Sequence, residues 1–459
     1  MITDNKKELF EKMPVPKALA NLAIPTIISQ IISLVYNMVD AFYIGRTGNS
    51  YMLAATTLTL TLVLLNIAFA NLFGVGGGSL IARLMGAQKP DEARKVSAFS
   101  FYGGIVTALV YSTLVGIFLN PFLRLLGASA DTIGYARQYA IYVIVIGALP
   151  AILSAVIAHL LRNVGCAKQA SIGLSGGGIL NIILDPLFMF VILPEGYEVA
   201  GAAIATLLSN TFACGYLIYA YRKAGKTSPL SMRPKDALHI GKENRKNLFA
   251  VGVPSAILTG LFDLANIILN ILAAAHNDLV LAAMGIVIKI DRIPNAINIG
   301  ICQGMLPLVA YNYSAGNRER MQQTLRTAQL WGMIISAVSI VLLELLAAPV
   351  TRIFLSTTAQ DPEAAMLTLG FAAVFLRIRC LAAPAQLLNY SSSYTMQAMG
   401  DGQATMLHAI VRELVFYIPF MLLLNHFFGP NGLAAALVAG EACGAVCAIL
   451  MLRRCMKRN

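Results

Sequence analysis

Long apolar stretches separated by short polar breaks run along the whole chain. The first stretch, Leu19 to Gly45, exceeds the length of about 20 residues that crosses the ~30 Å hydrocarbon core of a bilayer. The breaks are rich in Gly, Asn, Asp and Pro, as turns are. The pattern predicts twelve membrane-spanning helices, at 18–45, 52–82, 92–120, 133–162, 168–193, 199–222, 247–275, 279–312, 325–349, 364–396, 403–427 and 431–454.

Composition supports this class of protein. Of the 459 residues, 58% are hydrophobic and only 12% are charged, which no ordinary soluble domain shows. A membrane barrel would show short alternating segments, and the sequence has none. The sequence therefore predicts an all-α polytopic membrane protein. Its first residues lack the cleavage site of a signal peptide, so we expect the first helix to remain in the mature protein.

The distribution of basic residues predicts the topology. If the N-terminus lies inside, the internal segments hold most of the Lys and Arg residues. The external segments hold only Arg46, Arg124, Arg137 and Arg352. This asymmetry follows the positive-inside rule, and it predicts a multi-pass protein of the cytoplasmic membrane with both termini in the cytoplasm. The net charge of +12 is thereby explained without nucleic-acid binding.

The two halves of the chain resemble each other. The longest polar connection, 223–246, separates an N-lobe of six helices (1–222) from a C-lobe of six helices (247–459). Aligning the first helix of each half places Pro25 on Pro254. Because six is an even number, both halves start on the same side, which predicts a pseudo-twofold axis along the membrane normal.

The halves differ in their polar residues. Three polar residues of the first half align with apolar residues of the second: Asp40 with Leu269, Asn181 with Leu414, and Asp185 with Ile418. A charged side chain inside a span is costly, so each intramembrane acid is a functional hypothesis. The first half therefore carries a candidate polar site that the aligned positions of the second half lack.

Helix direction predicts that these residues meet at one depth. Asp40 lies fifteen residues after Pro25, or ~22 Å along the axis. Asp185 lies near the outer end of the fifth predicted helix, which also runs outward. Thr206 and Tyr139 lie near the outer ends of the sixth and fourth helices, which run inward. All four are predicted in the outer half of one bundle, with Asn181 one turn before Asp185.

Two functions are open for such a cluster. Paired acids in a low dielectric favour a proton carrier, whereas carboxylate, amide and hydroxyl oxygens also suit a small cation such as Na⁺. We expect H⁺ or Na⁺ as the coupling ion and no other cofactor, with any Na⁺ at Asp40, Asn181, Asp185 and Thr206. The alternative is that both acids have only structural roles, capping helices or joining them by hydrogen bonds. Asp185 is suited to such a role, because it precedes Pro186, which leaves backbone groups of its helix free to be bonded.

Several motifs together resemble one transporter family. The proline-bearing first helix with Asp40, the stretch LNIILDPLF, the stretch ARLMGAQKPDEA and the stretch YNYSAGN look like the multidrug and toxic compound extrusion (MATE) family. The stretch RELVFYIPFMLLL resembles its MepA-like branch, within a range that includes DinF-like members. The resemblance covers essentially the whole chain. It implies a twelve-helix exporter that exchanges H⁺ or Na⁺ for lipophilic, often cationic drugs by rocking two lobes.

The resemblance also implies roles for residues. The family's cation site uses an acid on the first helix and an asparagine and an acid on the fifth, which match Asp40, Asn181 and Asp185. A tyrosine and a threonine complete it, and we assign Tyr139 and Thr206, with Tyr142 as the alternative tyrosine. Pro25 is the expected hinge, because a proline weakens the backbone bonding of its helix.

Charged residues inside the second half allow two interpretations. Asp263 lies on the seventh predicted helix, and Lys289, Asp291 and Arg292 lie on the eighth. They form either a polar network that faces a drug cavity or ion pairs that hold the helices. For the other charged span residues, among them Arg379, Arg412, Glu413 and Glu441, we favour neutralisation by pairing.

Rival functions are narrowed by what the sequence contains. A lipid-linked oligosaccharide flippase of the same wider superfamily would need a cationic cavity, for which Lys289, Arg292, Arg377 and Arg379 are candidates. An intramembrane enzyme would need a catalytic motif, and neither His-Glu-x-x-His nor a nucleophile motif occurs. We therefore expect a secondary transporter and no enzyme. Its partners would be small-molecule drugs and membrane lipid, and we expect a monomer.

Overall fold

A computed structural model describes residues 7–355 and 362–458 of the chain, all of the regular structure being helical. After a short π-helical turn, Glu8–Lys12, six long helices form the first half. They are α1 (Val15–Arg46), α2 (Ser50–Gly86), α3 (Pro90–Ile117), α4 (Ile133–Ile146 with Ala148–Asn163), α5 (Ala167–Ile192) and α6 (Glu198–Ala224).

Six further helices form the second half. They are α7 (Lys242–Ala274), α8 (Asp278–Ser314), α9 (Arg318–Leu355), α10 (Pro362–Cys380 with Ala383–Met399), α11 (402–428) and α12 (430–458). Helical hydrogen bonding runs on from α11 into α12, but Gly429 has φ +57° and ψ −140° and breaks the helix. A glycine tolerates this backbone conformation, which other residues rarely adopt.

Twelve spans are found in the described residues. Eight helices are long and apolar enough to cross a membrane, and two more spans are the bent pairs of α4 and α10, with bends of 49° and 48°. One of the eight runs from Gly402 to Lys457 and divides into α11 and α12 at Gly429. The twelfth is α8, which has the length of a span but carries four charged residues in its first fifteen positions.

The structure differs from the predicted helices in three local features. The predicted fourth and tenth helices are bent, and the N-terminal segment, predicted only as polar, forms the turn Glu8–Lys12. Stretches of π-helix also interrupt α4 (Ile141–Ile146), α5 (Phe188–Ile192) and α11 (Val411–Tyr417). Such wide turns occur frequently at functional sites.

The two halves meet along a contact that we call the seam. In the seam α2 packs against α7, and α1 packs against α8. Backbones touch there: a Cβ added at Gly252 would lie 2.0 Å from the carbonyl oxygen of Leu72, and one at Gly86 would lie 2.1 Å from that of Tyr311. Ser79 also donates a hydrogen bond across the seam to the carbonyl oxygen of Gln397, at 2.6 Å.

The N-terminal segment fastens the seam at one face of the molecule. The ring of Phe10 stacks on Tyr311 with centroids 4.9 Å apart, and the Tyr311 hydroxyl donates to Glu11 Oε1 at 2.5 Å. Arg320 donates to the carbonyl oxygens of Phe10 and Met13 at 2.7 and 2.6 Å. Asn71 of α2 also donates to the Thr259 hydroxyl of α7 at 3.1 Å, and Gln88 donates to the Tyr311 hydroxyl at 3.3 Å.

The connection between the halves is ordered and packs on α3. Residues 223–246, predicted as a loop, include the end of α6, the short helix Pro234–Leu238 and the start of α7 at Lys242. Arg94 pairs with Asp236 at 3.1 Å, and the Tyr102 hydroxyl donates to the carbonyl oxygen of Met232 at 2.9 Å. The connection is therefore held by the first half, on the face that carries the N-terminal segment.

Large apolar side chains remain exposed around the bundle. Ile117, Val191, Leu345 and Met366 are 68%, 73%, 74% and 75% exposed, and comparable residues occur on most of the long helices. A soluble protein rarely shows contiguous apolar surface of this extent. This exposed apolar surface is that of a multi-pass membrane protein.

Candidate functional site

Asn181 and Asp185 form the centre of the polar site in the first half. They lie one turn apart on α5, and Asn181 Nδ2 donates to Asp185 Oδ1 at 2.9 Å. Both residues are buried, with exposures of 3% and 0%. Asn181 Oδ1 and Asp185 Oδ2 are also buried and accept no hydrogen bond. Buried acceptors without a donor are costly, so each needs an explanation in terms of function or ligand.

Asp40 lies opposite this pair on α1. Its Oδ1 is buried and likewise has no hydrogen-bond partner. The Asp40 and Asp185 carboxyls interact electrostatically with each other, and both interact with Tyr36 and Tyr139. The structure thus brings together Asp40 and Asp185, the two acids that helix direction and length predicted at the same depth in the membrane.

Two consecutive glycines set the approach of the three helices. A Cβ at Gly177 would lie 2.9 Å from the Cβ of Ala213 on α6. One at Gly178 would lie 3.0 Å from the Tyr36 ring on α1. Small residues allow helices in membranes to approach closely. Because Gly177 is one turn before Asn181, this close packing holds the amide and the acid of α5 between α1 and α6.

Tyr139 belongs to the cluster on α4. It is 8% exposed and lies two residues before the π-helical stretch Ile141–Ile146. Its electrostatic neighbours are Asp40, Tyr36 and Asp185. Tyr142, the alternative from sequence, is only half-buried. The burial and the neighbours of Tyr139 favour it as the tyrosine of the site.

Thr206 is less closely connected. It is half-buried on α6 and makes no hydrogen bond to either acid in the described residues. Three residues further on, the Ser209 hydroxyl is buried and without a partner. Asn37 is exposed and donates to the carbonyl oxygen of Ser33 on its own helix at 2.6 Å. Among the described residues of α6, Ser209 is therefore the one whose hydroxyl is buried without a partner.

Sequence reasoning missed Tyr36 in this cluster. Tyr36 precedes Asp40 by four residues, so the two share a helix face. The four-residue spacing from Asp40 could therefore have identified Tyr36 from the sequence. The remaining predicted residue of the first half, Pro25, lies within the continuous helix α1, and the Thr26 hydroxyl donates to the carbonyl oxygen of Leu22 there at 2.7 Å.

The orphaned oxygens of Asp40, Asn181 and Asp185 indicate what this site can hold. Three acceptors converge, and no Lys or Arg side chain forms an ion pair with either acid in the described part of the chain. A proton or a hard monovalent cation satisfies such acceptors, whereas an anion does not. Among the described residues, no group of three or more His, Cys, Asp or Glu side chains is arranged to hold a metal ion.

The predicted charged set of the second half is divided by the structure. Asp291 is buried and pairs with Arg379 at 2.6 Å. Lys289 and Arg292 are exposed, so they do not join that buried pair. Asp263 lies on α7, but its side chain is outside the described part. Among the described side chains of this set, the structure therefore shows Asp291 in a buried ion pair, which is one of the two interpretations that the sequence left open.

Arg412 and Glu441 form a further buried ion pair in the second half, at 2.5 Å between α11 and α12. Glu413 lies 3.6 Å from the same guanidinium, so two acids face one base. Arg377 lies 3.8 Å from Glu344, and both are partly exposed. The pairing of Arg379 and of Arg412 agrees with the interpretation that we favoured from the sequence, whereas Glu413 has no cation of its own among the described residues.

Comparison with known proteins gives consistent results. The model of the MatE family matches residues 25–187 and 254–423, once in each half of the chain. The chain is 29% identical to the multidrug export protein MepA of Staphylococcus saprophyticus, covering 98% of this chain and 96% of that protein. It is 28% identical to MepA of Staphylococcus aureus strain MSSA476, over the same shares.

Solved structures share the fold. An outward-facing conformation of a multidrug resistance MATE family transporter of the MOP superfamily superposes with a TM-score of 0.92 at 23% identity, covering 100% of this chain and 99% of that one. A MOP superfamily transporter from Pyrococcus furiosus gives 0.91 at 23% identity, with the same coverage. The predicted fold class, twelve helices in two lobes, is confirmed.

Proposed function

The chain belongs to the MatE family, and on that premise we propose that it is a secondary multidrug exporter of lipophilic, often cationic compounds in exchange for H⁺ or Na⁺. The family and the names of the MepA relatives support the export of drugs. The observation that supports ion coupling is the convergence of Asp40 and Asp185, two acids with buried, orphaned oxygens and no basic partner in the described residues.

The coupling follows from charge. An ionised acid in an apolar cavity attracts an organic cation, and the same acid loses that attraction when it binds a proton or Na⁺. Drug and coupling ion therefore compete for Asp40 and Asp185. A proton requires a single acceptor, whereas Na⁺ requires several oxygen ligands. The orphaned oxygens of Asp40, Asn181 and Asp185 suit either ion, so the proposal keeps both H⁺ and Na⁺.

Alternating access follows from the seam. The lobes are in contact on the face that carries the N-terminal segment and the connection, which the positive-inside rule assigns to the cytoplasm. The conformation described is then closed to the cytoplasm. Export requires that the seam open to admit the drug, that it close again, and that ion binding at the acids favour drug release. Pro25 of α1 is the proposed hinge, two residues after Ala23, whose backbone lies against Gly304 of α8 in the seam.

A flippase is the weaker alternative. A cationic cavity for a pyrophosphate would need free basic residues. Of the four candidates, Arg379 is neutralised by Asp291 and Arg377 lies near Glu344, which leaves only the exposed Lys289 and Arg292 among the described residues. The names of the MepA relatives favour export.

Dye efflux from proteoliposomes tests the proposal. With an imposed pH gradient or an imposed Na⁺ gradient, we expect wild type to export ethidium and Asp40→Asn and Asp185→Asn to lose gradient-driven export. Asn37→Ala is the matched control, because Asn37 is an exposed amide on the same helix as Asp40. If both acid variants retain the export rate of wild type, the coupling site is wrong. The gradient that drives efflux identifies the ion.

A further inference from the structure

A second cluster of ionisable residues lies buried in the second half, on helices that correspond to those of the first site. The π-helical stretch Val411–Tyr417 of α11 contains Arg412 and Glu413 in succession. Arg412 binds Glu441 of α12 through two hydrogen bonds, from Nε at 3.0 Å and from Nη2 at 2.5 Å. This two-point geometry is the strongest arrangement for a guanidinium and a carboxylate.

Glu413 is left outside this arrangement. Its Oε1 lies 3.6 Å from Arg412 Nε, beyond hydrogen-bonding distance, and its carboxyl accepts no hydrogen bond in the described part of the chain. The residue is nonetheless only 5% exposed. Two buried carboxyls therefore share one guanidinium. The pair of Asp291 with Arg379, by contrast, has one charge of each sign.

The surroundings of Glu413 supply no second cation among the described side chains. Asn389 of α10 donates to Glu441 Oε2 at 2.6 Å, and Tyr390 lies under the Arg412 guanidinium with its centroid 5.1 Å away. His408 Nε2 lies 3.1 Å from Asn389 Oδ1, and its Nδ1 is buried without a partner. Tyr417 is an electrostatic neighbour and contacts Arg379, which Asp291 already neutralises. Helix α7 also packs against α11, and it carries Asp263, whose side chain is outside the described part.

The repeat relates this cluster to the first site. Aligning α5 with α11 on Pro186 and Pro419 places Glu413 opposite Leu180, the residue before Asn181. Gly201 and Gly432 provide the alignment of α6 with α12. Both glycines pack against the end of the preceding helix, where an added Cβ would lie 2.7 Å (Gly201) or 1.9 Å (Gly432) from a backbone carbonyl oxygen. Glu441 then lies opposite Asn210. The second half therefore carries its acids on the corresponding helices but at positions that do not match Asp40 or Asp185.

We propose that Glu413, beside the Arg412–Glu441 pair, is a second exchange site that binds one monovalent cation, H⁺ or Na⁺, during the transport cycle. With Glu413 ionised, the cluster has one uncompensated negative charge; like charges and low dielectric make that state costly. One bound cation makes the cluster neutral. For H⁺, an O–H bond forms on the Glu413 carboxyl and breaks again on release, with no other bond altered. The inference rests on the proposed ion coupling.

Proton counting on the purified, full-length protein tests the site. In weakly buffered detergent solution with a pH indicator, binding of ethidium should release protons from wild type. We expect Glu413→Gln to release one proton fewer per ethidium bound. Glu344→Gln is the matched control, because Glu344 is also a glutamate of the second half near an arginine, but is partly exposed. It should release the wild-type number.

The choice of salt separates the two cations. The titration is done in NaCl and in choline chloride. A proton that is lost in Glu413→Gln in both salts assigns H⁺ to the site. In the other outcome, wild type releases this proton in choline chloride but not in NaCl, and Glu413→Gln releases it in neither salt. That result assigns Na⁺ as a competitor for the proton at the Glu413 carboxyl. Equal release from wild type and Glu413→Gln in both salts overturns the inference. If wild type releases no proton in either salt, the proposed proton coupling itself fails.

Stability separates exchange from a structural role. Glu413→Gln leaves Arg412 and Glu441 as a balanced pair, so its Tm should equal that of wild type. Glu441→Gln removes the closely bound partner of Arg412, and its Tm should fall. If Glu413→Gln lowers Tm as much as Glu441→Gln does, Glu413 is a structural counter-ion and the inference is wrong.

Discussion

Gly252→Ala should separate the two lobes at the seam. A methyl group at this position would lie 2.0 Å from the carbonyl oxygen of Leu72 and 2.9 Å from its carbonyl carbon. These are backbone atoms, so no side chain can rotate away. Ordinary van der Waals contact begins at 3.4 Å, so α2 and α7 must move apart by about 1.4 Å. The clash exists only while the seam is closed.

The structure sets the expected size of this effect. Overpacking of a close contact costs about 1–3 kcal/mol. If the open state relieves all of it, the ratio of open to closed seam rises about 5–150-fold. Replacing Gly by Ala also raises helix propensity by ~1 kcal/mol. Gly260→Ala controls for that gain, because Gly260 lies on the same helix with nothing within 4 Å of an added Cβ.

Distances between spin labels measure the result. The exposed residues Lys89 and Glu319 lie in different halves on the face of the N-terminal segment, and they carry the labels after the seven native cysteines are replaced. Gly252→Ala should add or enlarge a population at longer distance, and Gly260→Ala should match the parent protein. The same distance distribution in both variants would refute the argument. So would a lower Tm without a longer distance, since the lobes would then unfold rather than separate.

Three further outcomes are expected. Arg379→Leu should lower the free energy of unfolding by about 3–5 kcal/mol, because it leaves Asp291 buried and unpaired. Adding Asp291→Leu to the same chain should restore most of the lost stability, as measured by thermal unfolding. Tyr139→Phe should change the pH dependence of dye efflux, whereas Tyr142→Phe should not, because of the two only Tyr139 is buried against the acids. Equal effects of the two substitutions would contradict the assignment of Tyr139 to the site. Arg320→Ala should speed hydrogen exchange across residues 8–13 by about tenfold, because it removes donors to three of their carbonyl groups. Unchanged exchange would contradict this expectation.

The features that the sequence predicted are those that depend on one helix at a time. Apolar length and turn residues predicted the spans, and the rise of 1.5 Å per residue placed Asp40 and Asp185 at one depth. Depth was sufficient there because both helices run in the same direction from the same face. Tyr36 required only the further step of asking which residue shares a face with Asp40.

The features that the sequence did not predict depend on pairs of helices. The bends in α4 and α10 and the π-helical stretches leave no pattern in the apolar positions. The attachment of the N-terminal segment to Arg320 joins residues three hundred positions apart, which spacing cannot show. The same limit applies to Lys289 and Arg292, which proved to be exposed while Asp291 found its partner on α10.

Charge balance explains how the halves differ more fully than the alignment does. In the alignment of the two halves, apolar residues of the second half stand opposite Asn181 and Asp185. This suggested that the second half had lost its polar site. In the structure, Glu413 and Glu441 lie on the helices that correspond to α5 and α6, at other positions, together with Arg412. The first half has two acids without a basic partner in the described residues, and the second has two acids with one. Each cluster carries net negative charge when its acids are ionised, which is costly inside the membrane, and the cations proposed above would remove that cost. Counting charges within a cluster therefore raises a candidate site that aligned positions conceal.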